Sequence, residues 1–593
     1  MYLKQSPRHV VIRLERVDRS WIHAPNSLRQ LTHSKTRKHH INAGTEEGRR
    51  SFGERQPPMH SFQTPPLGGS PFAPALAGRI LHRFRSQGWE GLVDRVCALA
   101  RKAEMSRNDV DPEHFLTQLA QAMRRGQMLP NSPLLVNCAE AAPRLFACFA
   151  VDVDKPASEF LKSFRFIHDG MGGVGYTLKS DESGLAELIR LIDDDTVAHQ
   201  QRRPRPASNA VTMPISGDLD TFLGLAGTLA VTNMNVALSD AFMAALPTDR
   251  AAQQRFNAIA GCIHATGQPG VIFPDRITRV SRDTHAQYAA NVCGEAPLAV
   301  DESALLASVN LSAFVTAAQD GARIFDEAGF AHCVALCVRM LDGMHDLQTH
   351  ASEALMQNSL ATRKVGVGVM GFAHALMLLG LPYGSPASLQ FARRLSAMLH
   401  ESAAAESQRL AHCLGAYPAW DPGHGHARRN ANLTAIAGTA TIALIVGTSC
   451  GIEPIYSHRV AQRVIDREIC VMDPVVSFLL GEQGIDPALA ERRIATGESL
   501  RQIAGDALAD LCPTALELSG DLHIQMQAAL QSGIDCGITK TVNCPPETTV
   551  TEIRSWLLQA HASGCLGLTI YRNQSLQNQP MQVAEQDATP NHV

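Results

Sequence analysis

The sequence predicts an α/β protein built on a parallel sheet or barrel, and three observations predict it. Short β-type runs (MLPNSPLLVN, SNAVTMPI, GVIFPD, KVGVGVM, TATIALIVGT and LGLTIY) alternate with helical patterns through the central stretch, and strands that alternate with helices pair in parallel. The chain has 593 residues, too many for one small core and enough for about two to four domains. Apolar residues make up 45% and charged residues 19%, the balance of an ordinary folded chain.

Residues 1–70 read as a separate, disordered basic arm. The first sixty residues hold 12 Lys/Arg against 5 Asp/Glu and breaker-rich pieces such as QPPMH, and such a segment buries too little apolar surface to offset its ordering entropy. It is either a basic arm or sequence upstream of a true start at Met59. Residues 71–130 read as a helical region, with Ile80, Leu81 and Phe84, then Phe115, Leu116, Leu119 and Met123, at helix spacing. Residues 131–573 carry the barrel, and 574–593 read as a polar, disordered tail. No internal repeat is visible.

The net charge of −4 makes no electrostatic case for nucleic acid or a membrane surface. No apolar run approaches the roughly 18–20 residues that span a bilayer. Arginines and acids occupy the region where a signal peptide would keep its apolar core, so the expected location is cytoplasmic. The fourteen cysteines include no CxxC, which argues against a disulfide framework or a zinc knuckle.

Several motifs invite chemistry and fail on spacing. Gly366, Gly368 and Gly371 match GxGxxG, but the next carboxylate, Glu401, lies inside another helical pattern, where a dinucleotide site needs an acid at the end of a second strand. The glycines are read instead as permitting a tight strand-to-helix turn and close packing. His424 and His426 have only Asp421 near them, and Cys333 and Cys337 sit one helical turn apart among apolar neighbours. These read as a polar loop and a helix core, and no metal site is expected.

The run Asn291-Val-Cys293-Gly-Glu295-Ala-Pro-Leu is more informative. In an extended finger, residues i, i+2 and i+4 share a side, so an amide, a thiol and a carboxylate would converge. Such a set suits hydrogen abstraction, with the carboxylate as general base and the amide orienting a substrate. A buried cysteine in an edge strand is the bland alternative.

NVCGEAPL resembles the NPCGEIPL finger loop of adenosylcobalamin-dependent (class II) ribonucleotide reductases. MLPNSPLLVN resembles that family's first barrel strand, ACFAVDV the strand carrying the first redox cysteine, HDGMGGVGY its glycine-rich turn and SVNLSAFV its serine–x–asparagine–leucine segment. TRKVGVGVMGFAHAL, RRNANLTAIAGTATIALIVGTSCGIEP, HIQMQAALQ, ITKTVNCP and GCLGLTIYRNQS follow in the family's order, so that the likeness spans about residues 110–573. It implies a ten-stranded α/β barrel with a central finger loop, and reduction of ribonucleotides to 2′-deoxyribonucleotides for DNA precursor synthesis. Cys293 would be the thiyl radical, Glu295 the base for the 3′-hydroxyl, Asn291 a substrate ligand, and Cys148 the acid and first reducing thiol. Substrate contacts carry over to Ser132, Ala147, Cys148, Gly173 and Asn291. Gly438-Thr439-Ala440-Thr441-Ile442 corresponds to the phosphate loop, usually PTGTI, whose backbone N–H groups and threonine hydroxyls would receive an anion. The implied cofactor is adenosylcobalamin, and the implied partners are a ribonucleoside di- or triphosphate, an external reductant and a possible second copy of the chain, with neither nucleic acid nor membrane.

The chain departs from the family in three places. The pattern ESCNLGSINL reads ESALLASVNL, so Ala304 stands where the second redox cysteine would be. The tail lacks a re-reducing cysteine pair, and the stretch from Gly175 to Arg202, where the family builds its effector site and dimer contact, is shortened. Two expectations follow: a reductase fed by another reductant (or by a cysteine such as Cys450 or Cys138), or a degenerate paralogue that binds nucleotide or a partner without completing reduction.

Overall fold

Ten strands close into a ring whose order follows from their pairing. They are β1 Met128–Pro130, β2 Cys148–Ala150, β3 Gly173–Thr177, β4 Asn209–Pro214, β5 Thr232–Ala237, β6 Gly270–Ile272, β7 Ser303–Asn310, β8 Val365–Met370, β9 Thr541–Cys544 and β10 Gly567–Arg572. The computed structural model describes residues 88–575 and Gln63, except 106, 108–110, 180–182, 203–206, 282–287, 320 and 465–466. The expected arm (Gln63 apart), the Ile80–Phe84 pattern and the tail beyond residue 575 lie outside the described residues.

Strands β2 to β6 pair in parallel in chain order. Parallel pairs also join β7 to β8 and β9 to β10. Two antiparallel seams connect these halves, β2 against β7 and β6 against β10. Between β8 and β9 the ring is carried by the parallel bridges Val367↔Thr434 and Ile436↔Ile538. Parallel strands need crossovers of a dozen or more residues, and helices such as Arg250–Thr266 and Val550–Ala562 supply them on the outside. The expected ten-stranded barrel is therefore present.

Two β-type runs are helical in the structure. In MLPNSPLLVN only Met128–Pro130 is strand; it lies antiparallel to β7, outside the parallel sets. Ser132–Asn137 is a helix with Pro133 in its first turn, where a missing N–H is harmless. TATIALIVGT contains the helix Ala440–Val446, ended by Gly447 at φ 68°. Both runs are short and apolar, and periodicity alone does not separate a buried strand from a buried helix at that length.

KVGVGVM does form β8, and its glycines have packing roles. A Cβ at Gly366 would stand 2.8 Å from Ala435 Cβ, and one at Gly368 would overlap the Ala435 carbonyl. Gly371 takes φ 76° at the start of the helix Phe372–Leu378. Cys333 and Cys337 are buried in the helix Glu327–His345, and among the described residues no group of three or more His, Cys, Asp or Glu could hold a metal. No described helix is long and apolar enough to cross a membrane.

The helices Gly88–Glu104 and Pro112–Arg124 bury Leu92, Val93, Val96 and Leu99 on one and Phe115, Leu116, Leu119 and Met123 on the other, each large side chain contributing about 1.5–3 kcal/mol. Buried charges attach them to the barrel: Arg339 meets Glu104 at 2.5 Å, and Arg107 meets Asp342 at 2.6 Å. Asp342 also accepts from Arg363 at 2.8 Å and Asn430 at 2.9 Å. The guanidinium groups of Arg363 and Arg107 hold its carboxyl well below the usual range despite the opposing effect of burial.

A second buried pair braces the barrel where the finger loop rejoins it. Lys364 Nζ lies 2.5 Å from Glu302 Oε2, with both side chains almost fully enclosed. Glu302 also accepts from Thr362 Oγ1 and from the Ala299 backbone N–H. Removing one partner strands the other charge. Lys364→Met is therefore expected to lose about 3–5 kcal/mol of unfolding free energy in a urea titration; a loss below about 1 kcal/mol would mean that the pair does not brace this fold.

Candidate active site

The residues 288–299 form a hairpin that enters the ring. Its arms are Tyr288–Ala290 and Pro297–Ala299, and its turn is closed locally: Gly294, at φ 81°, donates its N–H to Asn291 O, and Ala296 N–H to Asn291 Oδ1 at 3.0 Å. The expected extended finger is corrected here. Residues 291–295 are a turn, and Asn291 and Glu295 converge because the chain folds back between them.

The barrel makes room for this hairpin by omitting side chains. A Cβ at Gly173 would stand 2.6 Å from Val292 Cγ2, and one at Gly175 would overlap the Ala290 carbonyl oxygen. On the other side, a Cβ at Gly537 would overlap the Gly294 carbonyl; instead the Gly537 N–H donates to Glu295 O at 2.8 Å. Asn233 Nδ2 donates to Val292 O at 2.9 Å. Backbone thus lies on backbone, and only glycine permits it.

Three polar side chains meet beneath the turn. Asn291 Nδ2 donates to Cys148 Sγ at 3.0 Å, and the Cys148 thiol lies 3.7 Å from Glu295 Oε1. Thr539 Oγ1 is 2.9 Å from Glu295 Oε2 and 3.0 Å from Cys293 O. Asn291, Glu295 and Cys148 are buried, whereas Cys293 at the tip is exposed. Burial raises the Glu295 pKa against the lowering effects of Asn291 and Thr539. Burial likewise pushes the Cys148 thiol well up, and the neighbouring Glu295 adds to the effect. Cys293 is also raised, by the protein atoms packed around it and by the charge of Glu295. All three proton-bearing groups are therefore biased toward their neutral forms.

Of the other expected contacts, Gly173 adjoins Val292 of the finger and Gly438 adjoins Thr539. Cys148 pairs with Gly173 across β2 and β3, and Gly173 N–H bonds Ala147 O at 2.8 Å, so these three residues share one corner with Val292. In 438–442, Gly438 and Ala440 are exposed. The Thr439 hydroxyl is buried and accepts the Gly451 N–H at 2.8 Å, and Ile442 enters the main core. The bond from Gly451 uses the Thr439 oxygen and not its proton, and Thr441 is half-exposed. Ser132 opens its helix two residues past Pro130, which pairs with Ala307 of β7.

A sequence profile for "Ribonucleotide reductase, barrel domain" matches residues 248–428 and 422–571, which take in the finger, β7 to β10 and the bridges that close the ring. The chain belongs to the ribonucleotide reductase family. It is 30% identical over 541 residues to a vitamin B12-dependent ribonucleoside-diphosphate reductase of Mycobacterium tuberculosis, covering 83% of this chain and 75% of that one. A vitamin B12-dependent ribonucleoside-diphosphate reductase of Thermoplasma acidophilum is 29% identical, covering 78% of this chain and 66% of that one. The fold is like that of the Actinobacillus ureae class Id ribonucleotide reductase alpha subunit, with a TM-score of 0.70 at 20% identity over 84% of this chain and 96% of that one.

Against this reductase frame, Ala304 stands directly opposite Cys148 in the β2/β7 pair. Opposed residues of antiparallel strands have Cα atoms about 4.5–5.5 Å apart, within disulfide reach, but here a methyl group faces the thiol. Cys450 follows the helix Ala440–Val446, and Cys138 ends the helix Ser132–Asn137; neither lies in the β2/β7 pair. Sequence reading missed Thr539, Asn233, Gly175 and Gly537. A readable signal existed for one of them: glycines at i and i+2 of a strand, as at 173 and 175, mark one face pressed by another backbone.

Gly175→Ala tests the seat of the finger. It should displace the Ala290 carbonyl, cost about 1–3 kcal/mol of stability, and raise alkylation of the otherwise buried Cys148 about tenfold, followed by peptide mass spectrometry. Unchanged Cys148 labelling would show that the hairpin does not rest on this glycine.

Proposed function

We propose that this chain reduces ribonucleotides to 2′-deoxyribonucleotides by radical chemistry at Cys293, using adenosylcobalamin. The observation that carries the reading is the Asn291–Cys148–Glu295 cluster under an exposed Cys293, held together by the Gly537 N–H bond to Glu295. The relatives named vitamin B12-dependent support the cofactor, and the residues present fit such a group. The tip, with Val292 and Gly294 part-exposed and Cys293 exposed, would meet it. Adenosylcobalamin, when bound, would supply the radical that starts the reaction.

The chain's own residues then have these tasks. The Cys293 sulfur radical takes the hydrogen atom from C3′ and becomes a thiol. Glu295 in its ionised form accepts the 3′-hydroxyl proton. Because burial raises its pKa, the acid limb of the rate profile should lie above the ordinary carboxylate value of about 4.3. Cys148 passes its proton to the 2′-hydroxyl, which leaves as water. The resulting thiolate is stabilised by the Asn291 amide N–H already aimed at Sγ. Enclosure of the cluster keeps water from these groups.

Completing the reduction needs two electrons and a second sulfur. Ala304 cannot supply one opposite Cys148, so we assign that role to an external thiol. It would form a mixed disulfide with Cys148, and a second thiol would release it. The same alanine favours a second reading, a paralogue that binds nucleotide without completing reduction.

Incubation with adenosylcobalamin, ribonucleoside diphosphate or triphosphate, and dithiothreitol separates the two. Multiple turnover to deoxynucleotide supports the first reading; nucleotide binding with neither a paramagnetic cobalt signal nor product supports the second. Cys293→Ser should abolish turnover. Ala304→Cys should form a disulfide between the introduced thiol and Cys148, and yield about one deoxynucleotide per chain without added thiol. Absence of that disulfide after turnover would refute the placement of Cys148 as the first reducing thiol.

A further inference from the structure

Thr539 is a residue the reaction scheme does not use, yet its hydroxyl lies between the two working groups of the finger. It has one proton and two acceptors within reach, Glu295 Oε2 at 2.9 Å and the Cys293 carbonyl at 3.0 Å. Its position is fixed on three sides. Its N–H donates to Ile436 O at 2.7 Å, and Gly537, two residues earlier, holds Glu295 O. Its methyl stands 3.2 Å from where a Cβ of Gly438 would be. The glycine that departs from the family's proline therefore leaves room for this methyl.

We propose that Thr539 is a positioning residue whose single hydroxyl proton couples the protonation state of Glu295 to the backbone of Cys293. When Glu295 is ionised, its charge attracts the hydroxyl, since hydrogen bonds to a charged acceptor are roughly twice as strong as neutral ones. The Cys293 carbonyl then loses that donor. When Glu295 gains a proton at Oε1, Oε2 becomes an acceptor no better than the carbonyl. When it gains one at Oε2, the bond reverses, the carboxyl O–H donates to Oγ1, and the hydroxyl is released to the Cys293 carbonyl. No net proton passes through Thr539; its O–H rotates. Uptake of the 3′-hydroxyl proton by Glu295 would thereby tether the residue bearing the reactive sulfur.

The groups facing Glu295 make this competition readable. Cys148 approaches from β2, Cys293 and Asn291 from the same loop, and Thr539 from the segment 536–539 that leads into β9. Lys540, the next residue, turns the other way to Glu453 at 2.5 Å and His523 at 2.6 Å. The catalytic meaning rests on Glu295 being the proton acceptor of the proposed reaction; the effect of the hydroxyl on Glu295 titration does not.

The test uses the full chain with Thr539→Val, which keeps the shape without the hydroxyl, and Thr539→Ser, which keeps the hydroxyl. The Glu295 carboxyl band is isolated by infrared difference against Glu295→Gln and titrated from about pH 4 to 10 without cofactor or nucleotide. The midpoint should rise by about one pH unit in Thr539→Val and stay within about 0.3 unit of wild type in Thr539→Ser. In turnover with adenosylcobalamin, the acid limb of kcat should move by the same amount, with KM changed less than about twofold. An unshifted Thr539→Val midpoint, a serine variant that behaves like valine, or a band that does not titrate would each overturn the proposal. Normal titration shifts in a protein that never turns over would leave it standing and remove the reductase mechanism instead.

Discussion

The hydrogen bond from the Gly537 N–H to the Glu295 carbonyl is the contact on which the site depends. It joins the segment leading into β9 directly to the backbone of the finger, at 2.8 Å, and it exists only because residue 537 has no side chain. Glycines 173 and 175 clear the opposite wall. The hairpin is thus held between two walls, by close backbone approach at Gly175 and Gly537 and by side-chain bonds from Asn233 and Thr539 to its carbonyls. Groups held this way stay within hydrogen-bond distance of each other without needing long flexible side chains, which is what preorganisation requires.

The charges in and around the barrel support that arrangement from further out. Asp342 gathers Arg107, Arg363 and Asn430, so the N-terminal helices, the helix Glu327–His345 and the approach to β8 share one ion. Glu302 and Lys364 do the same for the returning arm of the finger. Each such group has to stay paired, because an uncompensated buried charge is far more damaging than the pair is stabilising.

Much of this was legible in the sequence, and the limits have physical causes. The alternation of short apolar runs with helical patterns pointed to a parallel sheet or barrel, the family resemblance implied the ten-stranded form, and KVGVGVM became β8. Asn291, Cys293 and Glu295 lie within five residues, but only the resemblance of the motifs around them made the finger readable. The Ala304 substitution was readable as a departure, but its meaning needed the register that sets it opposite Cys148. SPLLVN and TATIALIV were misread because a buried helix and a buried strand look alike over six to eight apolar residues. Thr539 was invisible for a different reason: its partners Cys293 and Glu295 lie more than 240 residues away along the chain, and local pattern carries no information about such pairs.

The threading of the hairpin also sets the order in which this protein can assemble. The seam between β6 and β10 pairs Ile272 with Gly567, nearly half the chain apart, and Gly537 can grip Glu295 only once that late segment arrives. Long-range pairing of this kind is slow, because loop-closure entropy is lost before the contacts reward it. Until that segment arrives, the finger has only the wall with Gly173 and Gly175 to rest on. During synthesis, then, the chain passes through a stage with open strand edges and a half-seated active site, the stage most exposed to aggregation and to chaperones. The candidate site gains its second wall only with this late part of the chain.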